Sequence, residues 1–170
     1  PYPEDGLTET YRNAAEKILA ESPVKKGYCL VLDCGQGRLA YELAQRTELQ
    51  IVGLEKDPAK LKTARENLEA AGLLGSRVVV EPWDIESLPD YFANLIVSDG
   101  MLFSDKISVS RSQAKRVLRP YGGMACVSFH KEGETATETA GEPAQKTAGK
   151  PSTKMAGKPT IETAGKPTTK

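Results

Sequence analysis

Five short apolar runs, separated by stretches with helical spacing, constrain the fold of this 170-residue chain more than any other feature. The runs are YCLVLD (28–33), IVGLE (51–55), RVVVEPW (77–83), NLIVSD (94–99) and GMACVSF (123–129). Each has the length of a buried strand, is too short for a helix, and stops at charged or turn-forming residues. The segments between them read as helices. Tyr11, Ala14 and Ile18 share one side of 7–21, which Ser22-Pro23 closes. In 38–46, Leu39 with Leu43 and Ala40 with Ala44 repeat at i,i+4. Asp57-Pro58 opens a third helix with a capping carboxylate and a proline at the first turn; Leu61, Ala64, Leu68 and Ala71 form its stripe, and Gly72 suits its end. A weaker helix spans about 110–118. Strands alternating with helices predict an α/β fold, a doubly wound and mostly parallel sheet of about five strands that binds ligands beyond the strand carboxyl ends.

The chain changes character near residue 130. Residues 131–170 contain no aromatic residue, leucine or valine, and from Thr139 they repeat every eight residues: TAGEPAQK, TAGKPSTK, MAGKPTIE, TAGKPTTK. A proline in every copy interrupts any helix and the repeat has almost nothing to bury. The expected division is a folded domain over 1–130 and a disordered low-complexity tail over 131–170. From Thr139 onward six lysines face two glutamates, while residues 1–138 carry 17 basic and 21 acidic residues. A basic tail on a mildly acidic body offers no clear nucleic-acid footprint, and no stretch is apolar enough to span a bilayer. Cys29, Cys34 and Cys126 lack metal-ligand spacing and read as buried free thiols; no metal site is expected.

The candidate chemistry lies where the runs end. After the first run come Asp33, Gly35 and Gly37, a turn in which glycine permits sharp bending and a ligand's close approach to the main chain. Glu55 ends the second run, beside the first in such a sheet, where a carboxylate can accept from both hydroxyls of a ribose. Asp84, after Trp83, can accept from an exocyclic amine, with Ile85 offering an apolar face and an N–H to a base; Asp84 is equally suited to cap the next turn. Asp33 would repel a pyrophosphate laid over the glycine turn, but it would attract a cationic ligand. S-adenosylmethionine, with a ribose, an adenine, an ammonium and a sulfonium, meets these requirements.

The segments VLDCGQG, VGLEKDPAKLKTARENL, PWDIESLP, ANLIVSDG and RVLRPYGGMACVSF resemble, in order and spacing, the successive motifs of class I S-adenosylmethionine-dependent methyltransferases, over roughly residues 7–130. The resemblance implies a Rossmann-like fold in which the loop Asp33, Cys34, Gly35, Gln36 and Gly37 holds the methionine moiety, with Asp33 near its ammonium. It implies Glu55 on the ribose with Lys56 flanking, Asp84 and Ile85 facing the adenine, and Ser98 and Asp99 bordering the methyl group and an unidentified acceptor. A narrower resemblance, carried by AGLLGSRVVVEPWD, LPDYFANLIV and RVLRPYGG, is to the methyltransferase-like segment of some large PQQ-type β-propeller proteins. It suits a chain that starts at Pro1, an excerpt of something longer. A cytoplasmic setting follows from action on S-adenosylmethionine, an exported one from excision out of a propeller protein.

The chain departs from the family where Phe129-His130 runs directly into the repeats, without the usual last helix and strand pair. The fifth strand is then an edge that a partner or a missing segment must cover. No N/D-P-P-Y follows the fourth run, which argues against methylation of nucleobase amines, and Tyr121 is inserted in the R-P-G-G turn. Asp99 is a base, a metal ligand or a turn residue; His130, the only histidine, is a proton acceptor or a bystander, and no catalytic residue is assigned. Two other functions fit: a non-catalytic scaffold or interaction module within a larger protein, and an NAD-dependent oxidoreductase, since GQGRLA with Glu55 loosely satisfies G-x-G-x-x-A.

Overall fold

A capping box begins the folded chain. Asp5 accepts from the N–H groups of Leu7 and Thr8, and the Thr8 hydroxyl accepts in return from the Asp5 N–H, so the first turn of helix α1 (Gly6–Glu21) keeps few unpaired donors. The computed structural model describes residues 2–103 and 109–127. The repeats, His130 and the last residues of the fifth apolar run lie outside the described residues.

Strands β1 (Lys26–Leu32), β2 (Glu48–Leu54), β3 (Val78–Glu81), β4 (Leu95–Ser98) and β5 (Met124–Cys126) form one sheet in the order β3-β2-β1-β4-β5, and every pairing is parallel. Helices α2 (Arg38–Arg46), α3 (Pro58–Ala70) and α4 (Arg111–Val117) complete the alternation. The direction of winding reverses between β1 and β4, and a crevice forms at such a reversal beyond the strand ends. β5 has no second neighbouring strand among the described residues, as expected for an edge.

Two strands start earlier than their apolar runs. β1 gains Lys26 and Gly27, and β2 gains Glu48, Leu49 and Gln50, because the amino ends of both strands are wet and Lys26 pairs with Glu48 at 2.7 Å. Polar residues at a solvated strand end erase the apolar pattern without ending the ladder. β3 stops at Glu81, since Pro82 has no N–H to donate. Two single 3-10 turns, Ile85–Ser87 and Gly100–Leu102, are additions that periodicity did not indicate.

The sheet has a core on each face. Cys29, Val31, Leu49, Ile51 and Val97 pack against α1, α2 and α3; Leu30, Leu32, Val52, Leu54 and Ile96 pack against α4 and the turn at Ile85. All three cysteines are free, Cys29 and Cys34 being fully buried. Cys34 explains Gly53: a Cβ at 53 would lie 2.6 Å from the Cys34 sulfur, so only glycine lets the turn after β1 settle on β2. The Cys34 N–H completes that seat by donating to the Leu54 carbonyl at 2.9 Å.

Among the described residues no helix is long and apolar enough to cross a membrane. Gly53→Ala is expected to destabilise the protein by about 1–3 kcal/mol, the usual cost of overpacking a filled core, read as a lowered urea midpoint with an unchanged slope.

Candidate functional site

The turn after β1 is built from left-handed residues. Asp33, Gly35 and Gly37 have φ of 49°, 56° and 82°, a region in which glycine is unstrained and aspartate is tolerated better than most residues. The Gly37 N–H donates to the Cys34 carbonyl, and Gly37 then caps α2 without a side-chain bond. Space at Gly37 is already taken: a Cβ there would meet the Tyr2 hydroxyl at 2.9 Å and Leu68 at 3.2 Å. Gly35 is the glycine that lines the crevice.

Glu55 holds this turn. It is 8% exposed; its Oε2 accepts from the Gly35 N–H at 2.7 Å and its Oε1 from the Asp57 N–H at 2.9 Å. One carboxylate thus ties the turn after β1 to the start of α3. Each oxygen keeps further acceptor capacity toward the crevice.

Two cavities open on either side of Asp33 and Glu55, which line both. The smaller, about 190 Å³, is walled by Leu32, Leu54, Lys56, Trp83, Asp84 and Ile85. Here Lys56 and Asp84 form an ion pair, and Trp83 is half exposed. The larger, about 530 Å³, is walled by Tyr11, Gly35, Gln36, Arg38, Asp99 and Phe103, among others. Of the expected site residues, Asp33, Gly35, Gln36, Glu55, Lys56, Asp84 and Ile85 therefore meet at this crevice. Cys34 turns its thiol into the core, where burial raises its pKa well above the ordinary thiol value. Ser98 is buried at the end of β4 and lines neither cavity.

The amino-terminal segment forms a wall that the apolar pattern does not reveal. Asp5 receives both terminal nitrogens of Arg38, at 2.9 and 2.6 Å, and the Arg38 side chain is 8% exposed. That bond lowers the Asp5 pKa. The Tyr2 hydroxyl donates to the Gln36 carbonyl at 2.8 Å, and its ring lies under the Arg38 guanidinium. Tyr11, on the buried side of α1, donates to Asp99 Oδ1 at 2.9 Å and packs its ring against Phe103. The capping pattern around Asp5 was the visible signal; the reach of Tyr11 to a residue 88 positions away was not.

Asp99 is 3% exposed, and its Oδ2 has no hydrogen-bond partner. Its pKa is raised to about 7, first by burial and then by the Glu55 and Asp33 carboxylates; the Tyr11 hydroxyl and the Leu39 N–H oppose the shift. An acid that holds its proton longer when folded makes the fold less stable as pH rises through the window between the two pKa values. Between pH 4 and pH 8 the stability of Asp99→Asn should improve relative to wild type by up to about 4 kcal/mol, measured by urea unfolding at both pH values.

Comparison with known proteins agrees with this architecture. The model of a methyltransferase domain family matches residues 26–165. An uncharacterized methyltransferase of Emericella nidulans is 30% identical over 142 residues, which cover 74% of this chain and 49% of that protein. A structure from Methanococcus maripaludis, assigned as an S-adenosyl-L-methionine-dependent methyltransferase, is 25% identical with a TM-score of 0.57, covering 65% of this chain and 52% of its own. One from Galdieria sulphuraria, assigned as a sarcosine dimethylglycine methyltransferase, is 25% identical with a TM-score of 0.53, over 65% and 43%. The [4+2]-cyclase SpnF shares the fold at 24% identity and a TM-score of 0.54, over 67% and 43%. The chain spans about half the length of these relatives, and none of them supports the narrower resemblance to a propeller protein. With its family match running over most of its length, this chain belongs to the methyltransferase domain family.

Proposed function

We propose that this domain binds S-adenosylmethionine across the two cavities and transfers its methyl group to an acceptor in the larger one. The observation that carries the reading is the division of the crevice at Asp33 and Glu55, with a small apolar chamber on one side and a larger polar one on the other. The chemistry of the donors fits the ligand. Trp83, Ile85, Leu32 and Leu54 suit a flat base, and Asp84, braced by Lys56, suits its amine. The spare acceptor capacity of Glu55 suits a ribose diol, and Asp33 beside Gly35 suits an ammonium.

When bound, S-adenosylmethionine supplies a methyl group made electrophilic by its sulfonium. The residues bind and orient. Glu55 keeps the turn at Gly35 in place before any ligand arrives, so little ordering remains to be done on binding, and methyl transfer depends chiefly on such alignment. Gln36, Tyr11 and Phe103 border the space left for the acceptor. The acceptor and its partners are not identified by these residues, and a partner or further segment along β5 is part of the proposal.

Calorimetric titration of S-adenosylhomocysteine into the full chain tests the reading. Wild type should bind, and both Trp83→Ala and Asp84→Ala should bind about tenfold more weakly, the loss of roughly 1.4 kcal/mol each. NADH should give no heat. Absence of S-adenosylhomocysteine binding by a protein with a cooperative unfolding transition would overturn the proposal and return the scaffold alternative; NADH binding would return the oxidoreductase.

A further inference from the structure

The larger cavity contains a carboxylate that the expected ligand contacts do not use. Asp99 follows β4 and is fixed from two directions. Its N–H donates to the Leu32 carbonyl at 2.9 Å, and its Oδ1 takes the Tyr11 hydroxyl at 2.9 Å. Oδ2 is left over, buried and without a partner. It lies against the glycine turn, 3.7 Å from where a Cβ on Gly35 would stand, on the wall of the 530 Å³ cavity. Leaving a buried acceptor unpaired costs about 1–3 kcal/mol, so a chain that holds one in a rigid frame gains only if something else completes it.

We propose that Asp99 Oδ2 is the buried anionic contact for the cationic group of the ligand in the larger cavity, and that the ligand displaces a proton from it on binding. The inference rests on the cofactor reading above and deepens it.

The surroundings decide the sign. Tyr11 faces Asp99 from α1, Asp33 from the end of β1, Glu55 from the end of β2, and the buried Cys34 thiol from the turn beneath. Arg38, whose charge is taken up by Asp5, and the Leu39 N–H face it from the amino end of α2; Lys60 of α3 also lines the cavity. Three carboxylates around one cavity favour a proton on Asp99 while the cavity holds no cation. A cation reverses that preference, because the charged form of an acid is stabilised by an opposite charge beside it. Tyr11 acts through Asp99 as a positioning residue: its hydroxyl leaves Oδ1 satisfied and turns Oδ2 to the cavity.

The ammonium and the sulfonium of S-adenosylmethionine share this chemistry, and S-adenosylhomocysteine carries only the first. Both would be titrated into the full chain at pH 6 and pH 8, and at pH 7 in two buffers of different ionisation enthalpy. With a free-state pKa of about 7, the binding-competent ionised fraction and the affinity should rise about tenfold from pH 6 to pH 8, with about half a proton released per ligand at pH 7. A rise for both ligands assigns the contact to the ammonium, and a rise for S-adenosylmethionine alone assigns it to the sulfonium. Asp99→Asn should abolish the pH dependence and the proton release and weaken binding at pH 8 at least tenfold. Tyr11→Phe, which keeps the carboxylate but removes a bond favouring its charged form, should move the pH midpoint upward.

Wild-type binding that is equal at pH 6 and pH 8 with no proton released would overturn the inference while leaving the cofactor reading standing. Failure of both ligands to bind at any pH would instead remove the cofactor reading itself. An unaltered pH profile in Tyr11→Phe would also count against the inference, independently of whether Asp99→Asn folds.

Discussion

Glu55 is the fastening on which the crevice depends. A parallel sheet delivers its strand ends to one edge, but it does not by itself fix the turns that leave them. Here one buried carboxylate takes an N–H from the turn after β1 and another from the start of α3. Charge-assisted bonds to backbone donors are among the stronger ones available to a protein, and both are made where water is largely excluded. The same bonds set the distance between Asp33 and the α3 amino end, and with it the shared wall of the two cavities. The residue that a ligand would touch is thus also the one that shapes the space for the ligand.

Much of this was readable from residues alone, for an identifiable reason. Asp33, Gly35, Glu55 and Asp84 each follow a strand, and strand ends are marked by turn-forming residues whatever the neighbouring elements do. Parallel pairing then carries them to one edge without any need to know side-chain packing. The second role of Glu55 was hidden, because a strand-end glutamate looks the same whether it waits for a ribose or grips a backbone. Tyr11 and Arg38 were hidden more deeply. Both belong to helices whose apolar stripes are clear, and a stripe gives the buried face but not the polar atom at the tip of a buried ring or the partner of a buried guanidinium. Those pairings depend on how α1 lies on α2, a property of packing that periodicity does not encode.

The fold does not dictate the reaction. SpnF shares this architecture and is named for a cycloaddition, not for methyl transfer. What separates one use of such a sheet from another is the population of the larger cavity, since the first turn and the second strand end serve the same scaffold in each. In this chain the larger cavity has an aromatic rim at Phe103, a clasped α1 and an unsatisfied acid at Asp99. Those features, contributed by the segments before β1 and after β4, are where the identity of an acceptor is written.

The amino-terminal clasp has a practical consequence. Tyr2 lies with its hydroxyl on Gln36 and close to Gly37, and Asp5 holds Arg38, so the first few residues are masonry of the crevice and not a leader to it. An affinity tag joined directly ahead of Tyr2 would press on the glycine turn. Trimming to Leu7 would expose a buried guanidinium beside the ligand. Recombinant work on this domain is therefore better served by handles placed after the repeats, where they stand far along the chain from every residue that shapes the crevice.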